Sequence, residues 1–249
     1  MIDFHTHLDL YPKALTILPK VNELNQFTLV VTTSPRAWIA TSKIFSNYFN
    51  IQVALGLHPE IVETKQEETN LLLDNISKAR FIGEVGIDGS PRFSRTISLQ
   101  ESIFEQIVRT SAKVGGRVMS IHSRGAASRV LSILERFPSA GTVILHWFSG
   151  SIRELEKAIS LGCWFSVGPS MLNSNTGKFL VSKMPINRVL PESDGPFATR
   201  NNQPIMPWEA FEVTNELSRV WKLPKDEISN AIIDNYWQFL KLNNLTTDM

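Results

Sequence analysis

The opening stretch Ile2-Asp3-Phe4-His5-Thr6-His7 reads as a short apolar strand that ends in two histidines two residues apart. Side chains at i and i+2 of a strand point to the same side, so Asp3, His5 and His7 share one face. Two imidazoles that close together suit a borderline metal such as zinc or manganese. A His-x-His can equally sit in a loop without chemistry, so its meaning depends on the rest of the chain.

Outward from this stretch the same unit recurs. Apolar, β-branched runs follow at 28–32, 51–56, 79–83, 117–121, 142–145, 163–167 and 188–190. Amphipathic stretches with helical spacing lie near 11–25, 38–48, 67–77, 99–114, 126–137, 152–161 and 177–182. Two further helices are predicted near 207–221 and 225–242. Counting the first, eight strand-like runs each lead into a helical one. That is the pattern of an α/β fold, specifically a parallel (β/α)8 TIM barrel. A doubly wound open sheet is the competing architecture. No linker, repeat or low-complexity stretch divides the chain, so residues 1–249 are expected to form a single domain.

Composition narrows the setting. Hydrophobic residues make up 43% and charged residues 20%, ordinary values for a soluble globular protein. No apolar run reaches the roughly 18 residues of a membrane helix, and no charged-then-apolar leader precedes the first strand. Cys163 is the only cysteine, which excludes an internal disulfide and leads us to expect a cytoplasmic protein with an inert core thiol. The net charge of +1 supplies no general field for nucleic acid, so any attraction to phosphate must be local.

The five histidines are His5, His7, His58, His122 and His146, and each follows or ends a predicted strand. Glu84 ends the fourth strand and Asp194 the eighth, adding two carboxylates at the same strand ends. Active sites of such barrels lie at the carboxyl ends of the strands, so this collection predicts a metal centre. A lone carboxylate after a strand is more often a cap. Here strands one and eight would bring His5, His7 and Asp194 together, strands five and six would supply His122 and His146, and Glu84 could bridge two ions. Two ions about 3.5–4 Å apart clamp and activate a water, with Asp194 placed as general base. By alternation Asp3 and Glu192 lie inside the barrel, where carboxylates need hydrogen bonds, and are expected to orient the imidazoles.

Six strings carry a resemblance: His5-Thr6-His7, Gly56-Leu57-His58-Pro59, Gly83-Glu84-Val85-Gly86-Ile87-Asp88, Ile121-His122-Ser123-Arg124, His146-Trp147-Phe148-Ser149-Gly150-Ser151 and Glu192-Ser193-Asp194-Gly195-Pro196. In this order, with Gln100-Glu101, Phe104 and Asn235, the chain resembles the TatD family of metal-dependent deoxyribonucleases. The resemblance implies a TIM-barrel hydrolase that cleaves phosphodiester bonds of DNA with one or two divalent ions (zinc, manganese or magnesium). It implies His5, His7, Glu84, His122, His146 and Asp194 as metal ligands, with Glu84 and Asp194 at the chemistry and His58 near the substrate phosphate. Single-stranded DNA, attacked from an end, is the expected substrate, because a deep pocket of barrel loops admits a splayed terminus more readily than a duplex. An amide or ester hydrolase is the second reading, and a subunit of a defence complex with vestigial metal the third.

Departures from the family pattern bear on substrate rather than on ligands. Asp88 leads into Gly89-Ser90-Pro91-Arg92 where aromatic residues are usual, the acidic residue after the His-x-Arg of strand five is Gly125, and the usual histidine after the eighth strand is missing from Phe197-Ala198-Thr199-Arg200. They imply a divergent branch, of the kind carried by anti-phage defence operons, and with it a protein partner. Arg92, Arg95, Arg124 and Arg200 fall in predicted loops. Arginine suits bidentate phosphate contact, and Arg124 is the strongest of these expectations; salt bridging or capping is the alternative for each. Trp147 and Phe148 offer a face for stacking a splayed base, although aromatic residues at such positions more often pack.

Overall fold

The structure, a computed structural model, describes residues 1–245. In chain order the elements are β1 (Ile2–Thr6), α1 (Ala14–Leu24), β2 (Phe27–Val31), α2 (Pro35–Phe45), β3 (Ile51–Ala54), α3 (Val62–Lys65), α4 (Thr69–Asn75), β4 (Phe81–Gly86) and α5 (Ile97–Lys113). They continue with β5 (Arg117–His122), α6 (Ala127–Arg136), β6 (Gly141–His146), α7 (Ile152–Ser160), β7 (Trp164–Val167), α8 (Asn175–Val181) and β8 (Val189–Pro191). The chain ends with β9 (Thr199–Arg200), β10 (Gln203–Pro204), α9 (Val213–Trp221) and α10 (Lys225–Leu242). The alternation read from the sequence is therefore present. The short hairpin of β9 and β10 was not expected; Asn201 and Asn202 both adopt positive φ, the turn geometry that Asn tolerates. No helix among the described residues is long and apolar enough to cross a membrane.

The chain divides into two compact units. One comprises residues 1–30, 45–52 and 165 onward. In it β1 pairs in parallel with β2, Ile2 opposite Phe27, and β7 pairs in parallel with β8, Phe165 opposite Val189. The ends of β1 and β8 are knitted together by backbone bonds: Asp194 N–H donates to His5 O at 2.9 Å, and His7 N–H to Gly195 O at 2.8 Å. Phe4 packs against Phe27 at 4.7 Å and Phe239 at 5.1 Å between ring centres. Asn235 of α10 donates to the carbonyls of Ile186 and Val189, tying that helix to the start of β8.

The other unit comprises residues 31–44 and 53–164. In it β4, β5 and β6 lie side by side in parallel, with Phe81 opposite Val118 and Met119 opposite Val143. Ile82, Val85, Met119, Ile121, Ile144 and Leu145 are fully buried, as strands covered on both faces require. Helix α5 buries Ile103, Phe104, Ile107 and Val108, one stripe at helical spacing. Ser151 caps α7 through a reciprocal bond with Glu154, so the string after His146 ends as a helix start.

Candidate metal centre

In the first unit, His5 of β1 and His7, just past the strand's end, bring their rings 5.4 Å apart, and both are buried. Asp194 Oδ1 lies 3.8 Å from His5 Nε2. Asp194 holds a left-handed backbone (φ 50°), a costly conformation that surrounding contacts must fix. The next position admits only glycine, since a β-carbon on Gly195 would collide with the Tyr11 hydroxyl and the Ile205 carbonyl. Asp3 sits behind, accepting from the backbone N–H of His5 (3.1 Å) and Ser193 (3.0 Å) and pairing with the Ser193 hydroxyl (2.6 Å). Burial pushes the Asp3 carboxyl well above the usual range, and the nearby Glu192 adds to this against the Ser193 and His5 bonds. Glu192 is also buried and bonded to the Ser166 hydroxyl. The bonds of Asp3 thus run to the backbone that carries His5 and to Ser193.

In the second unit three imidazoles converge on one carboxylate oxygen. Glu84 Oε1 lies 2.7 Å from His122 Nδ1, 3.2 Å from His58 Nε2 and 3.4 Å from His146 Nε2. Burial by itself would raise the Glu84 carboxyl, but the positive fields of His58 and His146 and the bond to His122 hold it well below the usual range. His122 is pushed up to about 9: its burial is outweighed by bonds to Asp88 and Glu84. Asp88 Oδ2 takes the other ring nitrogen at 2.8 Å and is lowered to about 2, the His122 and Ser90 bonds outweighing burial. Gln100 accepts from Asp88 N–H at 2.7 Å, which gives that residue a positioning role.

This donor set fits a borderline divalent ion. His58, Glu84 and His122 each offer a ligand atom within 4.8 Å of the others. Nitrogen and carboxylate oxygen are the donors such ions take. His58, expected near a substrate phosphate, therefore stands in the donor cluster itself, its Nδ1 accepting from Glu60 N–H. Asp88 was missed as a partner, although Glu84, Gly86 and Asp88 alternate along the same run and should share a face. The glycines at two of the motif departures also explain each other: Gly89 N–H donates to Arg124 O at 2.7 Å, and a β-carbon on Gly89 would strike the Gly125 carbonyl.

Of the remaining predicted residues, the arginines lie at the surface. Arg92, Arg95 and Arg124 are exposed, Arg92 resting over the Phe93 ring. Arg200 is exposed but paired with Glu212 at 2.6 Å, so its charge is partly engaged. Trp147 is half-buried with a positive φ, while Phe148 is buried and packs. Cys163 is a buried free thiol.

Residues 2–241 match the family described as TatD related DNase. The chain is 27% identical to the uncharacterized metal-dependent hydrolase YjjV of Escherichia coli, over 94% of this chain and 95% of that protein. It is 25% identical to the human deoxyribonuclease TATDN3, over 98% and 96%. A 3'-5' ssDNA/RNA exonuclease TatD of Edwardsiella piscicida is 29% identical over 57% of this chain and 56% of that protein. The crystal structure of Escherichia coli YjjV superposes with a TM-score of 0.84 at 23% identity, covering 95% of this chain and 96% of that one. An uncharacterized amidohydrolase of Saccharomyces cerevisiae gives 0.77 at 15% identity, covering 95% and 98%. These likenesses show the fold, the α/β TIM barrel of metallo-dependent hydrolases rather than an open doubly wound sheet.

Proposed function

Because this chain belongs to the TatD-related DNase family and is a metal-dependent hydrolase, we propose that it cleaves phosphodiester bonds of DNA, preferring single strands and starting from an end. The observation that carries the reading is the convergence of His58, His122 and His146 on a buried, ionised Glu84. Such a cluster is costly to bury unless it holds something charged.

The proposed ligands are His5, His7, Glu84, His122, His146 and Asp194, holding two divalent ions of zinc, manganese or magnesium. When bound, such ions lower the pKa of a water and polarise the ester phosphate. Asp194 takes a proton of the attacking water, the water oxygen joins phosphorus as one P–O ester bond breaks, and Asp194 returns that proton to the leaving alcohol oxygen. His58, beside Glu84 in the donor cluster, is the imidazole that meets a phosphate oxygen of the substrate. Arg124 and Arg92 are exposed cations for the backbone of the strand, with Arg200 available once it leaves Glu212, and Trp147 is the aromatic neighbour of His146. The whole chain acts as one domain in the cytoplasm, and near-neutral charge favours a protein partner, as in a defence complex, to hold the DNA.

The test is end-labelled single-stranded DNA incubated with purified protein and Mn²⁺, Mg²⁺ or Zn²⁺. Mononucleotide release is expected, and Asp194→Asn should lower kcat by about 10²–10⁴-fold. Turnover of amides or carboxylic esters without DNA cleavage would overturn the reading in favour of an amidohydrolase.

A further inference from the structure

Three residues beyond Asp194 the chain exposes an aromatic side chain that the reading above does not use. Phe197 is 64% exposed, and its ring meets the His7 ring edge-to-face, 4.9 Å between centres at 85°. An exposed phenylalanine alone is ordinary. This one is held rigidly. Ala198 N–H donates to Asp194 O at 2.8 Å, and Ile205 N–H to Ala198 O at 3.0 Å. The Tyr11 hydroxyl donates to the Ile205 carbonyl, and the β9–β10 hairpin closes the segment, with Gln203 opposite Arg200. Backbone bonds therefore hold the chain that carries Phe197, and its side chain stays open to solvent against the His7 ring. Most of Phe197 stays accessible despite this contact, and an exposed aromatic ring is what an unpaired base stacks on, whatever its identity.

We propose that Phe197 is the stacking platform for the base of the nucleotide whose phosphate is attacked, and thereby the residue that selects unpaired ends. The assignment rests on the nuclease reading and deepens it. A base inside a duplex already stacks on its neighbours and must be extruded before it can use this face, whereas a frayed end offers it freely.

The test compares Phe197→Ala, Phe197→Leu and Phe197→Trp on single-stranded DNA. Leu keeps apolar bulk without a ring, so both Ala and Leu should raise KM about 10-fold with kcat within about 2-fold, and Trp should restore KM. On an oligonucleotide with abasic nucleotides at both ends, the wild-type KM should rise to that of the Ala variant, and the Ala substitution should then change nothing. A kcat loss with unchanged KM, or an equal loss on the abasic substrate, would overturn the proposal and make Phe197 a packing partner of His7. Independently of cleavage, added dAMP should quench the extra tryptophan signal of Phe197→Trp relative to wild type, and deoxyribose phosphate should not. If wild-type protein leaves DNA intact, the nuclease reading falls while such quenching still supports base stacking; absence of quenching overturns the stacking.

Discussion

Two clusters of acid and imidazole, one in each unit, are equally deep and yet behave in opposite ways. Asp3 and Glu84 are both almost fully buried, but Asp3 is pushed toward its neutral form and Glu84 toward its charged one. Burial alone therefore does not decide the outcome. Asp3 faces a second carboxylate, Glu192, and receives only neutral donors, from Ser193 and His5. Glu84 faces three imidazoles. At Asp3 burial prevails over the neutral donors, and at Glu84 the three imidazoles prevail over burial. The second unit thus provides a charge ready for a cation, while the first provides a backbone scaffold that aims His5, His7 and Asp194.

The comparison is broken most sharply at Glu84. Glu84→Gln removes the charge and leaves the three imidazoles without a common anion. It should abolish stoichiometric metal by elemental analysis and lower kcat/KM on DNA by roughly 10³-fold, several kcal/mol of lost transition-state stabilisation. Full metal content with activity within tenfold of wild type would show that the carboxylate is not the centre of the cluster.

A smaller effect should appear when pH is varied after chelation. His122 has a pKa raised to about 9 from an ordinary 6.5, so its contribution to stability is complete below 6.5 and is lost as pH rises through about 9. Glu84 and Asp88, both lowered, contribute a constant amount over that window. Chelated protein should therefore lose roughly 3 kcal/mol, about 9 °C in melting temperature, between pH 6 and pH 10. Metal-loaded protein should not, because a ligating imidazole has already given up its proton. Parallel melting curves with and without chelator would contradict the assignment of His122 to the metal.

The smallest change is expected at Asp3. Its shift toward the neutral form means that Asn can reproduce its bonds, accepting from the His5 and Ser193 N–H groups and donating to the Ser193 hydroxyl. Asp3→Asn should cost less than about 1 kcal/mol, whereas Asp3→Ala, which orphans all three partners, should cost about 2–3 kcal/mol in denaturant unfolding. Equal losses in the two variants would mean that Asp3 is ionised and that the contrast with Glu84 has been drawn in the wrong place.

Much of this molecule is legible without coordinates. The period-two face of Asp3, His5 and His7, the recurrence of apolar runs each followed by a helical stripe, and the histidines gathered at strand ends are properties of residue order. They follow from backbone geometry that any chain shares, and they identify the fold class and the residues worth testing. Elements were placed to within a few residues, and the misses have local causes: β4 runs on through Glu84 to Gly86, and the β9–β10 hairpin rests on two asparagines in a left-handed turn. What order cannot state is which groups meet through space. That Asp88 takes the second nitrogen of His122, that His58 leans on Glu84, that Asp3 acts through the backbone and that Gly89 and Gly125 clear room for each other all depend on distances between segments far apart in the chain. Electrostatic interactions and steric exclusion fall off over a few ångströms, so protonation and contact belong to the tertiary structure alone.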